Sequence, residues 1–587
     1  MTLTGKKQYK HIELNNEVTQ RGENGFYKLE KDQEALQEYM KEVDDLTIHF
    51  DNPITRLRYM VDEDFYYDLF AEYSEDDLIE IIEYSESLPF EFKSYMAASK
   101  FFKDYALKTN DKQNYLESYT EHVVIVSLYL AKGDVEKCKE YILSMIEQRY
   151  QPATPTFLNA GRARRGEMVS CFLLEVDDSL NSINYIDSTA KQLSKIGGGV
   201  AINLSKLRAR GEAIKGIKGV AKGVLPVAKS LEGGFSYADQ LGQRPGAGAV
   251  YLNIFHYDVP EFLDTKKVNA DEDIRLATIS TGLIIPSKFL ELAKEGKDFF
   301  MFAPHTIERE YGVQLDDIEM DEWYDKFVEN ENIMKKSYDA REMLNKIAQT
   351  QLQSGYPYIM FKDNANAKHA LSNIGQVKMS NLCTEIFQLQ ETSTINDYGT
   401  DDVIRRDISC NLGSLNIVNV MESGKIRESI HSGIDALTVV SNRTAIKNAP
   451  GVRKANDELH SVGLGAMNLH GYLAKNKLNY ESEEARDFAN VFFMMLNYYS
   501  IEKSMMIAKE RQETFKDFDK SDYATGEYFE RYIKNEVKPQ FDKVKTLFEG
   551  IDIPTSEDWK ALSETVQQHG LYHAYRLAIA PTQSISY

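Results

Sequence analysis

The sequence predicts an α/β protein in which a helical N-terminal lobe precedes a larger domain built from strands and helices. Between about residues 51 and 150, apolar side chains recur at helical spacing. After Pro152 the texture changes to short apolar runs, residues 171–174 and 200–203, separated by glycine-rich turns and helical stretches. At 587 residues the chain exceeds what one core usually supports, so a large unit and at least one smaller one are expected.

In chain order, residues 1–85 read as an N-terminal helical region, 86–160 as a helical lobe and 161–587 as the α/β domain. Ser74, Glu75, Asp76 and Asp77 form a capping-box pattern ahead of Leu78, Ile79, Ile81 and Ile82, and residues 121–130 repeat the apolar period. Glycines cluster at 197–199 and 242–248, where small residues serve either tight turns or close approach of backbone to a ligand. The charged stretch 308–340 is expected to be a surface excursion of connecting helices. Residues 577–580 read as a buried strand, and the sequence stops at Tyr587 soon after, which suggests a split or truncated protein.

Composition narrows the function. With 42% hydrophobic and 27% charged residues the chain is ordinary for a globular protein, so its net charge of -22 is spread over a folded surface. Such a surface argues against binding nucleic acid through nonspecific basic contacts, yet a few local donors suffice for a nucleotide phosphate. No apolar run of about 18 residues occurs and residues 1–15 are polar, so the expectation is a cytoplasmic protein with no membrane contact. Four cysteines, none in a CxxC pair or beside histidine at ligand spacing, exclude a disulfide scaffold and a zinc site. What remains for them is redox chemistry, nucleophilic chemistry or simple packing.

Asn381, Cys383 and Glu385 alternate, and in an extended segment they would project to one side. No histidine lies near to activate Cys383 as a nucleophile, and a neighbouring carboxylate raises a thiol pKa. Hydrogen-atom transfer needs no thiolate. It needs an S–H bond in a dry site, a carboxylate to take a hydroxyl proton and an amide to hold the substrate. Cys171 and Cys410 sit in strand-like settings 239 residues apart, and two thiols that close to a disulfide release the two electrons needed to turn C–OH into C–H. Packing alone is the commoner reading of any single buried cysteine, and Cys138, between Lys137 and Lys139, receives only that one.

Residues 151–159 (QPATPTFLN), Ser170 with Cys171, residues 380–385 (SNLCTE), 409–416 and 580–586 (APTQSIS) fall in the order and spacing of ribonucleotide reductase large subunits. The sequence resembles that family from about residue 149 onward, and most closely its class Ib branch. The resemblance implies an incomplete ten-stranded α/β barrel with a central finger loop carrying Cys383. It implies that Cys383 holds a transient thiyl radical, that Glu385 takes the 3′-hydroxyl proton, that Asn381 orients the sugar, and that Cys171 and Cys410 are the reducing pair. Thr154, Ser170 and Gly199 resemble substrate contacts. Pro581, Thr582, Gln583, Ser584, Ile585 and Ser586 resemble the loop that binds the diphosphate of a ribonucleoside diphosphate. Asp178 and Arg208 resemble contacts to a deoxynucleoside triphosphate or ATP effector at a homodimer interface, and residues 243–249 resemble the loop that carries the effector signal.

By the same resemblance the chain binds no metal itself. Its radical would come from a diiron or dimanganese small subunit and its electrons from a glutaredoxin- or thioredoxin-like reductant. A C-terminal fragment, from a split gene or beyond an intron or intein, would complete the barrel. The first 51 residues are too short for a full ATP-binding cone, which implies no ordinary dATP inhibition. The alternatives are a noncatalytic nucleotide-binding remnant and a cobalamin-dependent or glycyl-radical relative.

Overall fold

The computed structural model describes residues 9–164, 166–169, 171–238, 246–396, 401–444 and 446–586. The N-terminal part is helical throughout, including helices Glu30–Asp45, Pro53–Asp62, Glu75–Glu86, Tyr95–Asp104, Tyr119–Ala131 and Val135–Ile146. Ser74 and Asp77 make the expected reciprocal cap, and Ser118 with Glu121 makes a second. Helix Tyr119–Ala131 is buried on every face and forms the centre of the lobe. Beside it, buried Glu117 accepts from Arg162 Nη2 at 2.5 Å and Tyr66 OH at 2.7 Å and lies 2.9 Å from His122 Nδ1. Burial alone would raise the Glu117 carboxyl, but Arg162 and His122 outweigh it and hold the group well below the carboxylate range. Cys138 is buried in this core, as packing alone requires.

Ten strands follow: β1 (Tyr150–Pro152), β2 (Cys171–Glu175), β3 (Gly199–Asn203), β4 (Ala247–Asn253), β5 (Ser280–Ile285), β6 (Asp298–Phe302), β7 (Lys335–Asp339), β8 (Tyr358–Phe361), β9 (Ile408–Asn416) and β10 (Val462–Met467). Eight of them make one sheet, ordered β1-β9-β2-β3-β4-β5-β8, with β10 also on β9. β2, β3, β4, β5 and β8 pair in parallel, as do β9 and β10, and the two parallel sets meet antiparallel at β2 and β9. Parallel neighbours need crossovers, which helices such as Leu180–Lys195 and Leu225–Tyr237 provide. Alternate residues Leu173, Ala201, Ala249, Tyr251, Ile284 and Met360 line one face and pack with Val377, Met379 and Ile386 of a long loop laid against it. The result is a curled half-barrel sheet with a finger loop.

The incomplete barrel that the resemblance implies is present, and two other expectations change. The sheet has eight strands plus the segment 575–578, which bonds to β10 through Val462 N–H to the Tyr575 carbonyl (3.0 Å) and Leu464 N–H to the Arg576 carbonyl (2.8 Å). Among the described residues β8 and this segment are not joined, so the barrel is incomplete, as expected. Residues 577–580 are only partly a buried strand, because Ile579 is half exposed and pairing stops at Ala578. The charged stretch 308–340 holds connecting helices, as expected, but it also contains β7 and a buried stripe. Met320, Tyr324 and Phe327 bury one face of helix Met320–Glu329 over the antiparallel pair β6 and β7, an i, i+4, i+7 stripe that the surrounding charge obscures.

Candidate active site

Strand register brings the two distant cysteines together. Cys171 opens β2 and Cys410 lies directly opposite it on antiparallel β9. Opposed residues of an antiparallel pair have Cα atoms roughly 4.5–5.5 Å apart and side chains on the same face, within the range a disulfide spans. Neither cysteine is in a disulfide. Burial first, then Cys171 and Glu385, push the Cys410 thiol well above its ordinary value, so it is held as S–H. Gly199, at the start of β3, is the other register partner of Cys171, which leaves that flank without a side chain. At neighbouring Gly198 a Cβ would lie 2.3 Å from the Phe172 ring, so this glycine serves close packing.

The finger loop begins where Asn366 clamps Val377, amide to carbonyl and carbonyl to amide, each at 2.9 Å, and where Val377 bridges to Leu389. Its tip is not extended. The Thr384 N–H closes a turn on the Asn381 carbonyl at 3.2 Å, and Thr384 takes a φ of 63°. The three chemically interesting side chains are therefore separated by a turn and not by strand alternation. Asn381 is buried, Glu385 half-buried and Cys383 exposed at the tip. The dry setting expected for Cys383 is thus absent among the described residues.

Asn381 is the hub. Its Oδ1 accepts from the Glu385 and Ile386 N–H groups at 2.9 and 3.1 Å, and its Nδ2 points to Cys171 Sγ at 3.8 Å. The amide thus fixes the loop against the cysteine pair. Glu385 has a buried oxygen, Oε2, with no hydrogen-bond partner among the described residues, and burial raises its carboxyl above the ordinary range despite the opposing effect of Asn381. A carboxyl in this state is a competent proton acceptor once ionised.

Thr154 starts helix Thr154–Asn159, where its Oγ1 lies 3.2 Å from Ser584 Oγ. Tyr105 joins both, at 2.8 Å to Thr154 and 2.6 Å to Ser584. Tyr105 and Ser584 border a cavity of about 430 Å³ lined also by Ile585, Ser586, Lys93 and Lys100. Thr582 to Ser586 folds as a tight turn in which the Ile585 N–H bonds the Thr582 carbonyl at 3.1 Å, so that N–H is not turned outward for an anion. Pro581 and Gln583 are exposed. Ser170 and residues 243–245 lie outside the described residues.

Asp178 precedes helix Leu180–Lys195, capped by Ser179, and Arg208 follows β3. The Asp178 carboxylate accepts from the Arg208 N–H at 3.1 Å and Nε at 2.8 Å, yet burial leaves its pKa raised. Among the described residues no group of three or more His, Cys, Asp or Glu could hold a metal ion, and no helix is long and apolar enough to cross a membrane.

Comparison with known families decides what this arrangement belongs to. The model for the ribonucleotide reductase barrel domain matches residues 169–587, that for the all-alpha domain 91–165 and that for the N-terminal region 11–90. The chain belongs to the ribonucleotide reductase family. It is 54% identical over 580 residues to the ribonucleoside-diphosphate reductase subunit alpha of Bacillus subtilis, covering 98% of this chain and 83% of that one. It is 43% identical over 564 residues to the subunit of the same name from Mycoplasma pneumoniae, covering 95% and 78%. A third relative, the nrdEB subunit alpha of Bacillus phage SPbeta, is 31% identical over 963 aligned positions, covering 98% and 89%.

This ribonucleotide reductase chain is a catalytic large subunit. Its structure brings Cys171, Cys410, Asn381 and Glu385 together, joins Thr154 to Ser584, and joins Asp178 to Arg208. Sequence reasoning missed Tyr105 and Tyr251. The Tyr251 hydroxyl donates to the Asn381 carbonyl at 2.7 Å and lies 2.9 Å from Thr384 Oγ1. Among 35 tyrosines neither carries a local signal; only their partners across the fold reveal them.

Proposed function

We propose that this chain reduces ribonucleoside diphosphates to 2′-deoxyribonucleoside diphosphates, with Cys383 as the hydrogen-abstracting sulfur and Cys171 with Cys410 as the source of two electrons. The observation that carries this reading is the direct opposition of Cys171 and Cys410 across β2 and β9, with Asn381 against the first and Glu385 near the second.

Cys383, as a thiyl radical, takes the 3′-hydrogen: an S–H bond forms and C3′–H breaks. Glu385 accepts the 3′-hydroxyl proton while the 2′-hydroxyl takes a proton from one thiol of the pair and leaves as water. The pair then supplies a hydrogen equivalent to C2′ and closes to a disulfide, Glu385 returns its proton to the 3′-oxygen, and Cys383 returns its hydrogen to C3′ and is a thiyl radical again. In sum, C–OH and two S–H groups become C–H, water and S–S. A Cys410 thiol held protonated by burial suits this route, which consumes S–H and not thiolate.

The diphosphate is placed at Thr154, Ser170 and the loop of Pro581, Thr582, Gln583, Ser584, Ile585 and Ser586, with Gly199 lining the approach to Cys171. Asp178 and Arg208 take a deoxynucleoside triphosphate or ATP effector between two copies of the chain. A diiron or dimanganese small subunit supplies the oxidising equivalent, and a glutaredoxin- or thioredoxin-like protein reduces the disulfide afterwards. Among the described residues the edges of β8 and segment 575–578 are unpaired, which supports completion of the sheet by a further C-terminal part of the large subunit.

The test is reconstitution with the small subunit, an effector and that C-terminal part. Diphosphate reduction that disappears in Cys383→Ser, with effector binding retained, supports the reading. Turnover by the Cys383→Ser assembly contradicts it.

A further inference from the structure

We infer that Tyr251 is a positioning residue for the reaction: its hydroxyl clamps the turn that carries Cys383. The inference rests on the reading of Cys383 as the hydrogen-abstracting sulfur and adds how that sulfur is aimed.

The clamp starts in the sheet. Tyr251 of β4 is in register with Gly282 of β5, and its ring lies across that glycine. A Cβ at 282 would sit 2.4 Å from Tyr251 Cε1 and 2.6 Å from Cδ1, so any other residue there displaces the ring. The buried ring then directs its hydroxyl at the finger-loop tip, where it donates to the Asn381 carbonyl at 2.7 Å and pairs with Thr384 Oγ1 at 2.9 Å. Asn381 and Thr384 are the two ends of one turn, and Cys383 lies between them at its exposed tip.

The turn needs holding. Thr384 is β-branched with a φ of 63°, a backbone conformation such residues rarely adopt. Relaxation of that torsion would swing the tip and carry the sulfur with it. Burial keeps the Tyr251 phenol protonated far into the alkaline range, so it remains a donor at working pH. The rest of the loop has its own anchors: Asn366 on Val377, Ser380 Oγ on the Ile386 carbonyl at 2.8 Å, and the Leu389 N–H on Tyr575 OH at 2.8 Å. Loss of the single Tyr251 hydroxyl therefore loosens the tip and leaves the base in place. Hydrogen abstraction depends steeply on the distance and angle of approach, so a loosened tip acts on the chemical step and not on substrate affinity.

The test is Tyr251→Phe in the reconstituted enzyme with cytidine diphosphate. The expected result is a kcat roughly tenfold lower, with KM, effector Kd and Tm unchanged and with a severalfold change in the rate at which iodoacetamide alkylates Cys383. Thr384→Ala removes the other hydroxyl from the same clamp and should lower kcat in the same way, which keeps the inference testable should Tyr251→Phe fold poorly. Wild-type kcat together with a wild-type alkylation rate overturns the inference, and so does a joint fall of kcat, Tm and affinity, which would mark a purely structural residue. Cys383→Ser, assayed alongside, separates the two levels. If it still turns over, the reading of Cys383 fails; if it is dead while Tyr251→Phe is wild type, only the positioning role fails.

Discussion

At the scale of single residues, the four cysteines differ sharply in access. Cys383 is exposed while Cys138 and Cys410 are buried, so brief iodoacetamide treatment of the native chain should label Cys383 well ahead of those two, as peptide mass spectrometry would read. Preferential labelling of Cys410 would contradict the structure. Glu385 gives a second prediction. Its carboxyl is raised above the ordinary 4.5 by burial, so the folded chain binds that proton more tightly than the unfolded one. Its stabilising contribution is therefore present below pH 4.5 and is lost as pH rises through the raised value. Toward pH 7.5 the ionised form, whose Oε2 is buried without a hydrogen bond among the described residues, is the costly one. Glu385→Gln should accordingly melt no lower than wild type at that pH, while reduction falls by roughly a hundredfold or more. A lower Tm with activity retained would refute both parts. The residue types Asn381, Cys383 and Glu385 were legible in sequence as a chemical set, but their geometry was not, because alternation presumes a strand and the left-handed Thr384 makes a turn.

At the scale of elements, register does what sequence spacing could not. A separation of 239 residues says nothing about proximity, whereas the antiparallel pairing of β2 with β9 makes Cys171 and Cys410 neighbours. The helices of the N-terminal lobe were legible from the cap at Ser74 and from the apolar period of residues 121–130, although the Ser118 cap went unread. The buried face of helix Met320–Glu329 and the β6 and β7 pair were not, because charged neighbours mask a short buried stripe. The contact of helix Tyr95–Asp104 and the following Tyr105 with the terminal loop was equally hidden, since Tyr105 and Ser584 are 479 positions apart. That contact carries its own prediction. Tyr105→Phe removes a hydroxyl shared by Thr154 and Ser584, and KM for a ribonucleoside diphosphate should rise roughly three- to tenfold with kcat little changed. An unchanged KM in steady-state assays would place the diphosphate elsewhere.

At the scale of the whole molecule, two parallel sets of strands meet antiparallel at the cysteine pair, and the sheet curls around a finger loop without joining β8 to segment 575–578. The general class, helical lobe then α/β domain, was readable from texture alone; the barrel came from motif resemblance, and the openness of the sheet from pairing that only the fold displays. On the proposed role of Cys383 the open edges and its exposure belong together, because a radical-bearing tip needs shielding from water. The 587-residue chain assayed with the small subunit and dithiothreitol should therefore give no deoxyribonucleotide, and addition of the C-terminal part of a large subunit should restore reduction and slow alkylation of Cys383. The most direct test of the account is a single turnover without external reductant, in an assembly whose C-terminal part has its own cysteines replaced by serine. Disulfide mapping should find one Cys171–Cys410 bond per deoxyribonucleotide formed, with Cys138 still a thiol. Deoxyribonucleotide formed while Cys171 and Cys410 both remain free would contradict it.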